Sequence, residues 1–274
     1  MRVFVSADME GVSGIATAAD VVKGCEEYPP GQELLHGDVN AAVEAGAIDV
    51  VVNDAHSTMR NLDRSRLDDR AALIRGSTKP RSMVEGLCRD HDVALFVGYH
   101  AMAGTENAVL NHTFLAHELL RLRVDEDEVG ELGWNARFAA ALGVPVGLVT
   151  GDDATCAEAS VELGEVETVA VKEGIDRFSA RCRPVEECEG EIREAARRAV
   201  ERAGEFTVRA PDEPTRIEAD WSATNHAAHA GGLPGIERVD GRTTAVEAEC
   251  YPEAFERAIA MCRAGAAGRN EFYG

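Results

Sequence analysis

Short apolar runs, each separated from the next by a helical stretch, are the feature that most constrains how this 274-residue chain can fold. Five such runs lie at 2–7, 48–53, 93–97, 144–150 and 166–171. They are nearly continuous in Val, Leu, Ile and Ala, which is typical of strands buried on both faces. Helical stretches lie between them at about 31–45, 82–88, 133–142 and 154–163. The alternation predicts an α/β fold in which a parallel sheet forms the middle of a three-layer sandwich.

The last quarter of the chain has a different character. A charged helical segment at 185–203 precedes two closely spaced prolines, Pro211 and Pro214, which mark a break. Beyond them the pattern predicts strand, helix, strand and helix, at 215–219, 222–230, 243–248 and 251–264. We therefore predict an α/β domain at 1–208 that carries the chemistry and a small α+β domain at 209–274.

The charge and the hydropathy pattern exclude two kinds of partner. A formal net charge of −21 argues against nucleic acid, because phosphate binding needs clustered Lys and Arg. No stretch approaches the roughly 20 apolar residues of a membrane span, and the chain enters its first strand without a basic leader. We expect a cytoplasmic protein that binds neither nucleic acid nor a membrane. The acidic composition fits a salt-rich habitat, and the predominance of Arg over Lys fits a GC-rich genome equally well.

Potential metal ligands follow three of the predicted strands. Asp8 and Glu10 come after the first, His56 after the second and His100 after the third. Ligand sites in open parallel sheets lie beyond the carboxyl ends of the strands, so these distant residues should converge. Carboxylate and imidazole together suit zinc, with manganese, cobalt or iron as competitors. A carboxylate such as Asp8 can bridge two cations about 3.5 to 4 Å apart, which polarise a carbonyl and acidify water.

Each of these residues also has a purely structural interpretation. An Asp at a strand end often caps a turn, and His56 can do the same for the loop that follows it. Glu131 opens a predicted helix, where an acidic residue ordinarily complements the helix dipole. The hypothesis of a metal site therefore rests on the combination and not on any one residue.

The other histidines with a possible function also have both a functional and a structural interpretation. His112 can protonate a leaving amine or stabilise a tetrahedral anion, or it can be a buried histidine bonded to Asn111 or Thr113. His226 and His229 lie three apart in a predicted helix without an obvious carboxylate pair, which favours a structural role.

Seven short motifs occur in an order that resembles the D-aminopeptidase family of zinc peptidases, also called dipeptide-transport proteins. They are SADMEGVSG, VVNDAHS, SMVEGL, FVGYHAMAGT, NHTF, VGELGWNA and VTGDD. The motifs cover about residues 1 to 155, and the resemblance continues more loosely to the C-terminus. Any one motif is weak evidence, whereas the ordered set is specific.

The resemblance implies a site, a cofactor and an assembly. It implies two zinc ions (Zn2+) per subunit, with Asp8 bridging both, Glu10 and His56 completing one site, and His100 and Glu131 completing the other. It implies that His112 matches the residue designated as the catalytic nucleophile. It also implies an α/β domain with a smaller second domain, and a homodecamer. The implied substrate is a small peptide, with a D-amino acid at its amino terminus.

Two other functions fit the same residues. A two-metal phosphoesterase would use a similar centre, although the chain lacks the cationic clusters that usually hold a phosphate. A non-catalytic peptide-binding or transport accessory protein would hold a metal only for structure, although mixed carboxylate and imidazole ligands are unlike a closed structural zinc site. The leading hypothesis is a metal-dependent aminopeptidase.

Overall fold

The computed structural model describes residues 1–44 and 49–270 as twelve strands and seven helices. The strands are β1 (Arg2–Ala7), β2 (Asp49–Asp54), β3 (Ala71–Ile74), β4 (Val93–Val97), β5 (Leu119–Val124), β6 (Asp127–Glu128), β7 (Val146–Asp152), β8 (Glu167–Asp176), β9 (Ser179–Cys182), β10 (Thr215–Trp221), β11 (Ile236–Arg238) and β12 (Thr243–Ala248). The helices are α1 (Ala18–Val21), α2 (Tyr28–Val43), α3 (Glu131–Ala141), α4 (Asp153–Leu163), α5 (Val185–Glu201), α6 (Thr224–Ala230) and α7 (Tyr251–Ala266).

A seven-stranded sheet forms the centre of the molecule, in the order β3-β2-β1-β4-β7-β8-β9. Every neighbouring pair is parallel except β8 and β9, which form an antiparallel hairpin at one edge. The predicted α/β fold with a parallel sheet is confirmed. Strand β1 lies in the middle, and its last residue, Ala7, pairs with Asp54 on one side and Val97 on the other. The loops that follow β1, β2 and β4 therefore start side by side.

Helices cover both faces of this sheet because its strands are apolar on both sides. On one face, Val3 and Val5 of β1 share a core with Leu35 of α2 and Ile192 of α5. On the other face, Phe4 belongs to a second core that includes residues of α3 and α7. The sheet is thus the middle layer of a sandwich, as predicted.

A second, antiparallel sheet of five strands packs beyond that second core, in the order β11-β12-β10-β5-β6. Helix α7 joins it to the rest of the molecule, since Phe255 lies against Trp134 and Phe138 of α3, with ring centroids 4.7 and 4.8 Å apart. Two of the five strands, β5 and β6, come from before residue 208. The boundary between 208 and 209 stays a prediction, but the two sheets do not divide the chain there.

Several predicted elements differ from the observed ones. The helix expected at 82–88 is a single 3-10 turn, Ser82–Val84, because Ser82 and Gly86 both have positive φ values, 49° and 91°, which end a helix. Strands β3, β5, β6, β9 and β11 were not predicted. The predicted helix end at Ala45 and strand start at Ile48 lie outside the described residues. Within the described part of the chain, no helix is long and apolar enough to cross a membrane.

Candidate metal centre

The predicted ligands meet at the carboxyl edge of the parallel sheet. Asp8 follows β1, His56 follows β2 and His100 follows β4, so the pairing of β1 with both neighbours brings them together. Glu131 is the first residue of α3. Each of the five predicted ligands, Glu10 included, is at most 6% exposed.

Close backbone contacts hold the loop that carries Asp8 and Glu10 against the loop that carries His100. The amide of Gly11 donates to the carbonyl of Gly98 at 2.8 Å, and the amide of Asp8 donates to Val97 at the same distance. A Cβ atom at position 11 would lie 1.8 Å from the carbonyl oxygen of Tyr99. Glycine is therefore required at position 11 for the two loops to approach.

The described residues form three groups of potential donor atoms, of which two share Asp8 and the third consists of Glu10, His100 and His112. Ligand atoms of Asp8, Glu10 and His56 lie within 4.8 Å of one another, and so do those of Asp8, His100 and Glu131. In the first group, His56 Nδ1 lies 2.9 Å from Glu10 Oε2 and 3.4 Å from Asp8 Oδ1. In the second, His100 Nε2 lies 3.2 Å from Glu131 Oε1 and 3.6 Å from Asp8 Oδ2.

Both imidazoles are oriented by a backbone carbonyl on their far side. His56 Nε2 lies 3.0 Å from the carbonyl of Val21, and His100 Nδ1 lies 3.0 Å from that of Ala101. A carbonyl oxygen can only accept, so each of these nitrogens donates. In the neutral form the opposite nitrogen then presents its lone pair to the carboxylates, the arrangement that a metal-ligating histidine adopts.

Burial and mutual charge shift the protonation of the cluster. Burial and the neighbouring charge of Glu10 raise the pKa of Asp8 to about 7. Burial opposes ionisation of Glu10, but the charge of His56 holds its pKa well below the usual value. Burial likewise opposes protonation of His56 and His100, yet the carboxylates beside them raise the pKa of both imidazoles well above the usual value. The buried carboxylates of the cluster therefore favour a positive charge beside them.

Divalent cations would supply this positive charge. Three buried carboxylates share one small volume, where unpaired ionised groups are costly. Asp8 Oδ2 is buried and has no hydrogen-bond partner among the described residues. This oxygen lies 3.6 Å from His100 Nε2, so a cation held there would supply the missing partner, and mixed oxygen and nitrogen donors suit zinc.

His112 lies over the second group of donors. Its ring stacks on that of His100, with centroids 4.1 Å apart and planes inclined by 12°. Its Nδ1 donates to the carbonyl of Leu110 at 2.8 Å, and not to Asn111 or Thr113 as the structural alternative supposed. Its Nε2 lies 3.6 Å from Glu131 Oε1. Burial and the charge of His100 lower the pKa of His112, so its neutral form leaves Nε2 free to accept a proton.

The prediction from sequence missed the buried polar groups that hold the site loops. Lys172, in β8, is fully buried and donates to the carbonyls of Glu10, Val12 and Ile15 at 2.7, 2.9 and 2.7 Å. A lysine inside an apolar run of a chain with few lysines was the available signal. On the next loop, Asp54 accepts the amides of Asn61 and Leu62.

Three other buried polar residues have structural roles. His226 is buried and bonded to the carbonyl of Gly265 at 2.8 Å, as its structural interpretation predicted. Asp152 caps α4 by accepting the amide of Thr155, and its other oxygen accepts the amide of Val109 on the loop that leads to His112. Lys79 donates to Asn53 and to the carbonyl of Asp54, behind the site.

The centre opens into a cavity of ≈ 910 Å³, which is large enough for a short peptide. Its walls carry Lys23, Arg177, Arg263 and Arg269, in addition to the acidic cluster. A second open cavity of ≈ 900 Å³ lies beside it, and His112, Ala116 and Arg177 line both.

The fold and this donor set define a class, the metal-dependent hydrolases built on a parallel α/β sheet. Comparison with known proteins narrows that class. The family model described as Peptidase M55, D-aminopeptidase, matches residues 1–260. This chain belongs to the D-aminopeptidase family and is a peptidase, as its motifs predicted.

Two relatives from Bacillus subtilis show how far the similarity extends. The D-aminopeptidase of strain 168 is 33% identical over 266 residues, which cover 95% of this chain and 96% of the relative. The solved structure described as "Zn-dependent D-aminopeptidase DppA from Bacillus subtilis, a self-compartmentalizing protease" is 32% identical, with a TM-score of 0.94 over 99% of this chain and 100% of that chain. The similarity therefore includes both sheets and all the motifs.

Proposed function

We propose that this enzyme is a two-zinc aminopeptidase that removes the amino-terminal residue, including a D-amino acid, from short peptides. The observation that carries the proposal is the pair of donor groups sharing Asp8 at the floor of a peptide-sized cavity. The zinc dependence and the D-aminopeptidase activity of the similar proteins support it. Membership of a peptidase family disfavours the phosphoesterase and the non-catalytic accessory protein.

Each ligand has a role in this proposal. Asp8 would contribute to both cation sites, Glu10 and His56 would complete one of them, and His100 and Glu131 would complete the other. When bound, the zinc ions polarise the scissile carbonyl and favour ionisation of the attacking water. The buried carboxylates and the backbone bonds of His56 and His100 keep the donors in place before substrate arrives.

His112 moves the proton in this proposal. Its Nε2 has no hydrogen in the neutral form, because Nδ1 donates to Leu110. It can therefore accept a proton from the attacking water and then return it to the leaving amine. This assigns general base and general acid roles to one atom, in place of a covalent nucleophile.

The enzyme is also proposed to assemble from identical subunits into a homodecamer. A similar protein is described as a self-compartmentalizing protease, which supports an assembly that encloses its sites. Sedimentation of the purified enzyme measures the mass directly. A species of ten subunits supports the decamer, and a monomer contradicts it.

Metal removal and add-back test the activity. The enzyme as purified should contain about two zinc ions per chain and should cleave dipeptides with D- or L-residues at the amino end. Chelation should abolish the cleavage, and added zinc should restore it. A phosphate ester in the same assay serves as the control substrate. Turnover of the ester in place of the peptides, or full peptide turnover without metal, would refute the proposal.

A further inference from the structure

One arginine in the wall of the cavity has no acidic partner. Arg177 lies at the turn between β8 and β9, lines both cavities and is half-buried. Its Nε is buried without a hydrogen-bond partner, and no carboxylate in the described part of the chain forms an ion pair with it. In a chain with 49 acidic and 28 basic residues, a half-buried guanidinium without an acidic partner is unusual.

The other cations of the same cavity are already engaged or exposed. The Arg263 guanidinium donates to the carbonyl of Lys79 at 2.8 Å, and Arg269 lies 3.8 Å from Glu118. Lys23 is exposed to solvent. Arg177 is therefore the cation of this wall best placed to meet an anion carried by a ligand.

Backbone hydrogen bonding ties Arg177 to the loop that carries His112. Its carbonyl accepts the amide of Leu110 at 2.7 Å, two residues before His112, and its amide donates to Asp176. The guanidinium lies over the ring of Phe178, 5.5 Å from the centroid, which limits its orientation. A guanidinium presents paired N–H donors in the geometry that a carboxylate accepts.

We propose that Arg177 binds the terminal carboxylate of the peptide whose amino end lies at the metal centre. This inference rests on the proposed aminopeptidase function and names its substrate class: short peptides with a free carboxylate. Arg177 and the acidic cluster line one cavity, so a bound peptide spans the space between them. Peptides whose carboxylate does not reach Arg177 lose the contact.

The test compares two peptides that differ only in this group. Dialanine, in its all-D and all-L forms, and the matching C-terminal amides are assayed with zinc-loaded enzyme. We expect kcat/KM to be about tenfold or more higher for the acid than for the amide, mainly through KM, the usual size of a charge-assisted hydrogen bond. Arg177→Gln should make acid and amide equal, and Arg177→Lys should keep part of the difference.

Arg181→Gln is the matched control. Arg181 lies in β9 of the same hairpin, is exposed, pairs with Glu173 at 3.2 Å and lines neither cavity. The Arg181→Gln variant should keep the parental ratio of kcat/KM for the acid to kcat/KM for the amide. An unchanged ratio in Arg177→Gln, or no preference in the parent enzyme, would overturn the proposal.

Calorimetric binding of the same peptides separates this inference from the proposed function. If neither peptide is hydrolysed, the aminopeptidase proposal fails, and binding alone then judges Arg177. Tighter binding of the acid that disappears in Arg177→Gln supports the carboxylate contact. Equal binding of acid and amide to the parent enzyme rules it out.

Discussion

Asp8 is suited to bind cations and poorly suited to a protein without them. It is 2% exposed, and one of its carboxylate oxygens has no partner among the described residues. Burial and Glu10 raise its pKa to about 7, so its charged form is disfavoured in the absence of a cation. A residue that a folded chain keeps at this cost is expected to act on a ligand.

Asp8→Asn should therefore separate metal binding from stability. The variant removes the proposed bridging charge, so we expect it to bind less than about 0.2 zinc per chain at concentrations that fill the parent enzyme. Without metal it should resist urea at least as well as the metal-free parent at pH 8, because the buried charge of Asp8 is removed. Metal analysis and urea unfolding measure the two effects. Full zinc content in the variant would exclude the bridging role.

His112→Ala should leave the metals in place and slow the reaction. The ring stacks on His100, and although His112 forms a third group of potential donors with Glu10 and His100, it belongs to neither of the two groups that share Asp8. Loss of a general base and acid costs about 10²- to 10⁴-fold in kcat. Zinc content should stay within a few tenths of the parental value, as measured by atomic spectroscopy. An unchanged kcat would contradict the proton-transfer role.

Asp38 predicts a pH dependence of stability. It is fully buried, and burial raises its pKa to about 6 from 3.8. Between these values the folded state holds more protons than the unfolded state, so the contribution of Asp38 to stability falls as pH rises from 4 to 6. An asparagine at this position cannot ionise. The free energy of unfolding of Asp38→Asn should therefore rise relative to that of the parent by about 2 to 3 kcal/mol over that range. Urea unfolding of the metal-free proteins measures this; parallel curves would contradict it.

At the scale of elements, β8 positions the loop that follows β1. The side chain of Lys172 donates to three carbonyls of that loop, and that of Glu10 is one of the three. Its ammonium also lies within electrostatic range of Asp38, a buried carboxylate on α2. The conformation of Glu10 thus depends on β8, which lies three positions away from β1 in the sheet, beyond β4 and β7.

Lys172→Met should weaken one metal site more than the other. Methionine has a similar length but no donor, so three buried carbonyls lose their partner and the Glu10 loop loosens. We expect zinc affinity to fall about 10- to 100-fold at the site of Glu10 and His56. The site of His100 and Glu131 serves as the internal control in a two-site titration. Equal weakening of both sites would indicate a general loss of structure and not positioning.

The sequence predicted the elements whose pattern is local. Strands β1, β2 and β4 are continuous apolar runs, so their ends and the polar residues after them could be placed without a structure. β5 was missed because Arg121 and Arg123 interrupt its apolar pattern, and β3 because four residues carry too little pattern. The role of Lys172 could not be predicted, since its acceptors lie 157 to 162 residues away in the chain. The functions given to Glu131 and His112 came from the resemblance and stay proposals.

At the scale of the whole molecule, the net charge of −21 sets the response to salt. Like charges spread over one surface repel each other, and this repulsion destabilises the compact state more than the unfolded one. The surface Arg–Glu pairs, such as Arg183 with Glu191, are exposed and individually weak. Repulsion should therefore dominate the electrostatic contribution to stability.

Added salt should stabilise the enzyme. Raising NaCl from about 0.05 to 1 M shortens the screening length from more than 10 Å to about 3 Å. The urea midpoint should rise across this range, and urea is chosen because it adds no ions. Potassium chloride at the same ionic strength should have the same effect if screening is the cause. A flat or falling midpoint would contradict the dominance of repulsion.

The proposed catalytic centre depends on two cations that share the carboxylate of Asp8. Anomalous diffraction from zinc-loaded crystals, collected on both sides of the zinc absorption edge, tests this directly. We predict two peaks in each subunit, on either side of Asp8, one beside Glu10 and His56 and the other beside His100 and Glu131. A single peak, or zinc bound away from Asp8, would contradict the account.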